Sequence, residues 1–164
     1  MCGFGGYFAL NGSTTTKAAE QMAASLTHRG PDSEGIHSEG PIELAFRRLA
    51  ILDPTAAGHQ PMSNADESVW IVFNGEIYNY RELRDRVSGY EFNSETDTEV
   101  LLHLYEEYGI ECLSMLRGMY AFAIWDTKQE QLSLARDRLG QKPLFYHHND
   151  RAFRFGSTIR TLLS

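Results

Sequence analysis

Residues 1–10 read MCGFGGYFAL, and the position of Cys2 directly behind the first methionine is the feature on which the rest turns. The apolar run from Gly3 to Leu10 predicts a short buried strand, ended by the turn signal Asn11, Gly12, Ser13. Glycines at 3, 5 and 6 weaken a strand and mark places where another group comes close to the backbone. Removal of Met1 would make Cys2 the first residue, carrying a thiol and an amine together. The thiol has a reference pKa near ~8.5 and an α-amine near ~7.7–8.0, so at neutral pH the amine can take the proton of the attacking sulfur. No histidine is needed in such a pair. A buried structural cysteine is the other reading of the same residue.

Composition frames both readings. The chain has 164 residues, 42% hydrophobic and 23% charged, which is ordinary globular usage and predicts one domain over 1–164. A chain of this length hides roughly 70% of its unfolded surface, enough for a core without disulfides or metal. With 22 acidic against 15 basic side chains the formal charge is −7, which repels phosphate backbones and anionic lipid. Neither nucleic acid nor a membrane is expected as a partner. The cysteines, Cys2 and Cys112, have no zinc-type spacing and cannot staple a secreted fold, so no metal site and a cytoplasmic location are expected. The first lysine is Lys17, so no basic leader precedes the apolar start, and no run approaches the roughly 18 apolar residues of a membrane span.

Further strands are predicted at 42–46, 69–73, 120–125, 131–135 and 152–155, and helices at about 16–28, 80–87 and 98–108. Strand, helix, strands, helices and strands in that order suggest a layered α+β domain and not a βαβ alternation.

Several stretches carry candidate chemistry beside a plainer role. VFNGEIYNY, residues 72–80, puts Asn74 and Gly75 directly after an apolar strand. Asn-Gly is a turn signal, but the Asn74 amide and the unhindered Gly75 N–H also form a donor pair suited to an oxyanion, with Glu76 beside them as an acceptor for an ammonium. In AFRRLAILD, residues 45–53, adjacent Arg47 and Arg48 must point to opposite faces of a strand. One of them suits a carboxylate, and a structural ion pair explains them equally well. Thr96, Asp97 and Thr98 open the helix that ends near Tyr108, where a helix cap and an ammonium-binding carboxylate are both open readings. Arg48 and Asp97 together would complement the carboxylate and ammonium of an amino acid. His28 to Asp32 reads as a tight turn, 136–145 as a solvated loop or an interface, and Cys112 as core.

CGFGGYF at 2–8, HRGPD at 28–32, RRLAILD at 47–53, GHQPM at 58–62, FNGEIYNYRELR at 73–84, TDTEV at 96–100, LRGMYAFAIWD at 116–126 and ARDRLGQKPLFY at 135–146 together resemble the class II glutamine amidotransferase domain of glutamine-hydrolysing asparagine synthetases. Eight motifs in the family's order are specific where each alone is weak. The resemblance implies an N-terminal nucleophile fold, an αββα sandwich of two mainly antiparallel sheets between helical layers. It implies hydrolysis of L-glutamine to L-glutamate and ammonia, with Cys2 as nucleophile and Asn74 and Gly75 as the oxyanion donors. By the same likeness Arg48 binds the glutamine carboxylate, Asp97 and Glu76 its ammonium, and the backbone of Leu49, Ala50, Ile51 and Leu52 lines the pocket.

No cofactor is implied for that step. ATP and Mg belong to a synthetase domain, which the resemblance makes a partner in cis or trans and which this sequence lacks. The family's glutaminase domain also continues past residue 164, so a C-terminally truncated domain is expected, as a fragment or as half of a split enzyme. Two other functions fit the same motifs: a non-catalytic glutamine-binding or regulatory remnant, and the glutaminase of another ATP-dependent amide-forming enzyme. A homodimer is a further expectation, with 136–145 as the stretch to carry the contact.

Overall fold

The structure, a computed structural model, describes residues 1–12, 14, 16–50 and 55–164. Its elements run β1 (Gly3–Ala9), α1 (Lys17–Ser25), β2 (Ser33–Glu39), β3 (Ile42–Arg48), β4 (Met62–Ser63), β5 (Val69–Ile77), α2 (Tyr80–Arg84), α3 (Asp97–Tyr108), β6 (Gly118–Asp126), β7 (Gln131–Arg136), β8 (Phe145–His148), β9 (Ala152–Gly156) and α4 (Ile159–Leu163). Short 3-10 turns cover Ala56–Gly58 and Gly109–Met115. The strands form a five-stranded sheet in the order β2-β3-β1-β9-β8 and a four-stranded sheet in the order β4-β5-β6-β7. Every pairing is antiparallel. No helix among the described residues is long and apolar enough to cross a membrane.

Period-two alternation sorts the strand residues into layers. On β3, Ile42, Leu44 and Phe46 join Phe4 and Phe155 against Val72, Ala121, Ala123 and Trp125 of the opposite sheet. The intervening Ala45 packs on Ala19, Met22 and Ala23 of α1. The outer face of the second sheet, with Ile71, Phe73, Phe122 and Ile124, buries Val100, Leu101 and Leu104 of α3. The result is helix, sheet, sheet, helix, the layering anticipated above.

The two long helices are begun by carboxylates and a hydroxyl. Helix α1 has no side-chain cap from Thr16, and buried Glu43 of β3 instead accepts the N–H of Ala19 at 2.7 Å. Thr96 caps α3 by accepting from the N–H of Glu99 at 3.3 Å. The Glu99 carboxylate reaches back to the N–H groups of Asn93 and Ser94, each at 2.7 Å. Gly109, at φ 56, ends α3 in a conformation that disfavours a side chain.

Strands β2, β4 and β8 and helix α4 lie outside the predicted elements. SEGIHSE carries no apolar alternation because β2 is an edge strand, yet it pairs with β3 along its whole length. The four residues of β8 are exposed on the opposite edge. Helix α1 also stops at Ser25, short of the expected His28, where the N–H of Arg29 turns back to the carbonyl of Leu26 at 2.8 Å.

Gly6 faces Phe155 across the β1–β9 pair, and a β-carbon there would overlap the Phe155 ring. Phe155 is fully buried and has no room to withdraw. Gly6→Ala is therefore expected to destabilise the chain by about 1–3 kcal/mol, read as a lower urea midpoint; an unchanged midpoint would contradict this packing.

Candidate functional site

The layer between the sheets ends in a cavity of about 500 Å³. The alternation that buries Phe4, Phe46 and Val72 between the sheets continues to Cys2, Arg48 and Asn74, two residues along in each case, and all three line the cavity. This also settles the paired arginines. Arg47 points the other way, donating from Nε to the carbonyl of Ala23 at 3.1 Å and pairing with Glu34, while Arg48 turns inward.

Cys2 is held on both sides. Its carbonyl accepts from Arg29 Nε at 3.0 Å, and its Sγ lies against the backbone of Leu49, accepting from the N–H at 3.3 Å and donating to the carbonyl at 3.5 Å. Asp32, from the same turn as Arg29, accepts from the N–H of Ala50 at 2.8 Å. The HRGPD turn thus pins the residue carrying the thiol and the strand exit that the thiol touches.

Asn74 is 3% exposed, and its Nδ2 has no hydrogen-bond partner among the described residues. A buried donor without an acceptor is costly, on the order of 1–3 kcal/mol, and because Asn74 lines the cavity a ligand oxygen there could supply the acceptor. In an antiparallel strand alternate N–H groups point to the same edge. The N–H of Phe73 goes to Gln60 Oε1 at 2.6 Å and that of Ile77 to Asp97 Oδ2 at 2.9 Å, so the N–H of Gly75 points to that edge between them. Glycine is required at 75 for another reason as well. A β-carbon there would strike the carbonyl of Met119 and lie 2.7 Å from Tyr120 Cα.

Charges of both signs complete the wall. Arg48 donates from Nη1 to the carbonyl of Thr55 at 2.7 Å, and Gly58 leaves the space that its Nη2 occupies, since a β-carbon at 58 would overlap that nitrogen. Asp97 is 4% exposed. Burial pushes its carboxyl up to about 6, against the N–H groups of Ile77, Asp97 and Thr98, with nearby Glu76 adding to the rise. Gln60 ties the two sides together, its Nε2 donating to Thr98 Oγ1 at 3.1 Å.

Of the residues expected from sequence, Cys2, Arg48, Leu49, Asn74, Gly75, Glu76 and Asp97 share this one cavity. Ala50 is adjacent but is not part of the wall formed by the described residues, and Ile51 and Leu52 lie outside the described residues. Gly58, Gln60, Met119 and Lys142 also line it without having been singled out, and Thr96 and Thr98, named only at the opening of the helix, join them. GHQPM carried a signal for the first two, but only as part of a motif. Cys112 is core, and burial pushes its thiol up to about 11. Among the described residues no cluster of three or more His, Cys, Asp or Glu is arranged to hold a metal.

A family model described as "Glutamine amidotransferase domain" matches residues 1–164. The chain belongs to this family. It is 46% identical over 170 residues to "Asparagine synthetase [glutamine-hydrolyzing] 1" of Bacillus subtilis (strain 168), covering 99% of this chain and 27% of that protein. To "Asparagine synthetase [glutamine-hydrolyzing] 2" of the same organism it is 41% identical over 168 residues, covering 100% of this chain and 22% of that one. The chain therefore spans about a quarter of the length of these curated relatives. Among solved structures, the glutamine phosphoribosylpyrophosphate amidotransferase of B. subtilis superposes with a TM-score of 0.82 at 23% identity, over 98% of this chain and 43% of that one. That likeness is one of fold: the αββα arrangement of this amidotransferase domain recurs where most side chains differ.

Folding raises the Asp97 carboxyl above its ordinary value to about 6, so the folded state holds that proton more tightly than the unfolded chain. The resulting stabilisation is complete below the ordinary Asp range and is lost as pH rises through about 6. Asp97→Asn is accordingly expected to be more stable than wild type by about 1–3 kcal/mol at pH 8 and equal to it in acid below the ordinary carboxyl range. Urea denaturation at the two pH values checks this; a variant less stable at pH 8 would contradict it.

Proposed function

We propose that this amidotransferase domain hydrolyses L-glutamine to L-glutamate and ammonia through a thioester on Cys2. The observation that carries the reading is the buried, unpartnered Nδ2 of Asn74 in the cavity that also holds the Cys2 thiol. Once Met1 is removed, the Cys2 amine takes the thiol proton as Sγ attacks the side-chain amide carbon of glutamine. A carbon–sulfur bond forms and the carbonyl π pair moves onto oxygen, where the Asn74 amide and the Gly75 N–H receive it. On collapse the carbon–nitrogen bond breaks, and the proton held by the amine passes to the departing nitrogen, which leaves as ammonia. Water then adds to the thioester, giving its proton to the amine, and glutamate leaves as the thiol is restored. Arg48 takes the α-carboxylate as a planar fork, and Asp97 with Glu76 takes the α-ammonium. Ionised Asp97 is the competent form, and its cation is the counter-charge that offsets its burial.

The glutaminase step uses no cofactor in this reading. Ammonia goes to an ATP-dependent synthetase domain, the nature of the curated relatives favouring asparagine as its product, and the two unpaired cysteines favour a cytoplasmic setting.

Glutamate release by a preparation whose N-terminal Cys2 is verified by mass spectrometry tests the proposal. Cys2→Ala and a Met1-retaining form are both expected to be inactive, and equal release by wild type and Cys2→Ala sinks the reading. Asn74→Ala is expected to lower kcat by about 10²–10³-fold with little change in KM. Gly58→Ala presses on the Arg48 guanidinium and on the Thr96 methyl, so it is expected to raise KM for glutamine several-fold, roughly 10-fold for a weakened charged contact, in initial-rate measurements.

A further inference from the structure

Lys142 is 7% exposed and lines the same cavity, although it lies outside every strand and helix, on the segment between β7 and β8. Asp137 puts it there. The Asp137 carboxylate gathers the N–H groups of Tyr120 at 3.3 Å, Gln141 at 2.9 Å and Lys142 at 2.9 Å. Burial works to raise this carboxyl, but the N–H donors prevail and hold it below the ordinary range, so it stays ionised. Tyr120 is the β6 partner of Gly75, and the loop is therefore fastened to the strand pair that carries the oxyanion donors.

What the Lys142 ammonium meets is unusual. Its Nζ contacts the Sδ of Met1 at 3.4 Å. No carboxylate among the described residues pairs with it. A thioether is a weak acceptor, and a buried ammonium ordinarily has a carboxylate partner. Among the described residues, the loop thus delivers a cation whose contact is with Met1, the residue that the proposed mechanism requires to be removed.

Resting on the glutamine-hydrolysing reading, we propose that Lys142 is a positioning residue for the nucleophile: with Met1 gone, its ammonium stands by the new amine of Cys2 and keeps that amine in the free-base form that accepts the thiol proton. Two cations in a partly enclosed cavity disfavour one another, and the weaker base yields its proton. An α-amine is intrinsically a weaker base than a lysine side chain. Other charges face the amine from neighbouring elements. Arg29 beyond α1 holds the Cys2 carbonyl and Arg48 of β3 lies in the same wall, both acting in the same direction. Glu76 of β5 and Asp97 of α3 are the opposing carboxylates in that wall. Asp97 directs Oδ2 at the N–H of Ile77, and both carboxylates are engaged by the α-ammonium once substrate binds, which leaves the cations to act on the amine.

The test needs no turnover. The chain is released from an N-terminal fusion with Cys2 first, labelled with [¹³C]cysteine, and the amine is titrated through the Cys2 Cα resonance. Lys142→Met is expected to raise the amine pKa by about 0.5–1 unit, and Lys142→Arg to keep the wild-type value. Lys142→Gln is titrated alongside, so that the result does not depend on one neutral variant folding. An amine pKa unchanged in either folded neutral variant overturns the proposal. Absence of glutamate release by wild type would count against the glutaminase reading and leave this titration standing. In the active chain the acid limb of the kcat/KM profile moves up in pH by the same amount in Lys142→Met, which a merely structural lysine would not produce.

Discussion

The outer edge of β5 beyond β4 is the constraint from which the site follows. Strand β4 pairs only with Trp70 and Ile71, so the N–H groups farther along that edge have no neighbouring strand to receive them. Buried backbone donors must be satisfied. Gln60 satisfies Phe73 and Asp97 satisfies Ile77, and each of these acceptors lines the cavity. Between them the Gly75 N–H faces the place where a substrate oxygen would sit. The unfinished ladder supplies the donor, and the residues that terminate it supply the walls.

Asp97 shows how stability and recognition compete at that edge. Its carboxylate stands at the start of α3, where the helix N–H groups and that of Ile77 favour the anion, but burial outweighs them and lifts its pKa. A carboxylate held this way is poorly compensated in the empty cavity and well compensated by an ammonium. Arg48 faces the same cavity with the opposite sign. Gly58 is kept bare so that the guanidinium can reach the wall. The zwitterion proposed as the ligand would meet both signs there, and its ammonium would supply the compensation that burial denies Asp97.

Much of this was legible in the sequence, for reasons that can be separated. Period two alone divides Arg47 from Arg48, and it places Cys2, Arg48 and Asn74 in one layer once the strands are known. Thr96 as a cap and Gly109 as a stop follow from local backbone chemistry, and both are seen. The motifs point to the αββα fold because eight of them recur in order. Lys142 was not legible as a wall residue. Its burial depends on Asp137 collecting donors from a distant strand, which no spacing within RDRLGQK announces. Two edge strands escaped for the opposite reason: FYHH is exposed throughout and SEGIHSE is only half-buried, so neither displays an apolar alternation.

A nucleophile that uses its own amine, the role proposed for Cys2, has to sit at a chain end, and chain ends are ordinarily the loosest part of a fold. Here the difficulty is met by topology. Strand β1 is the middle strand of the five-stranded sheet, bonded to β3 on one side and to β9 on the other. The last residues of the chain secure the first ones. The N–H of Phe4 donates to Ser157 Oγ at 3.1 Å, the carbonyl of Phe4 accepts from the N–H of Ser157 at 2.8 Å, and the methyl of Thr161 fills the space left by Gly5. The glycines that weaken β1 as an isolated strand are what allow β9 and α4 to close on it. Order at Cys2 thus rests on Arg29 and Leu49, which touch it, and on Ser157, which fixes Phe4 from 153 positions away in sequence. A precise N-terminus in this fold therefore depends on β9 and α4 as well as on β3.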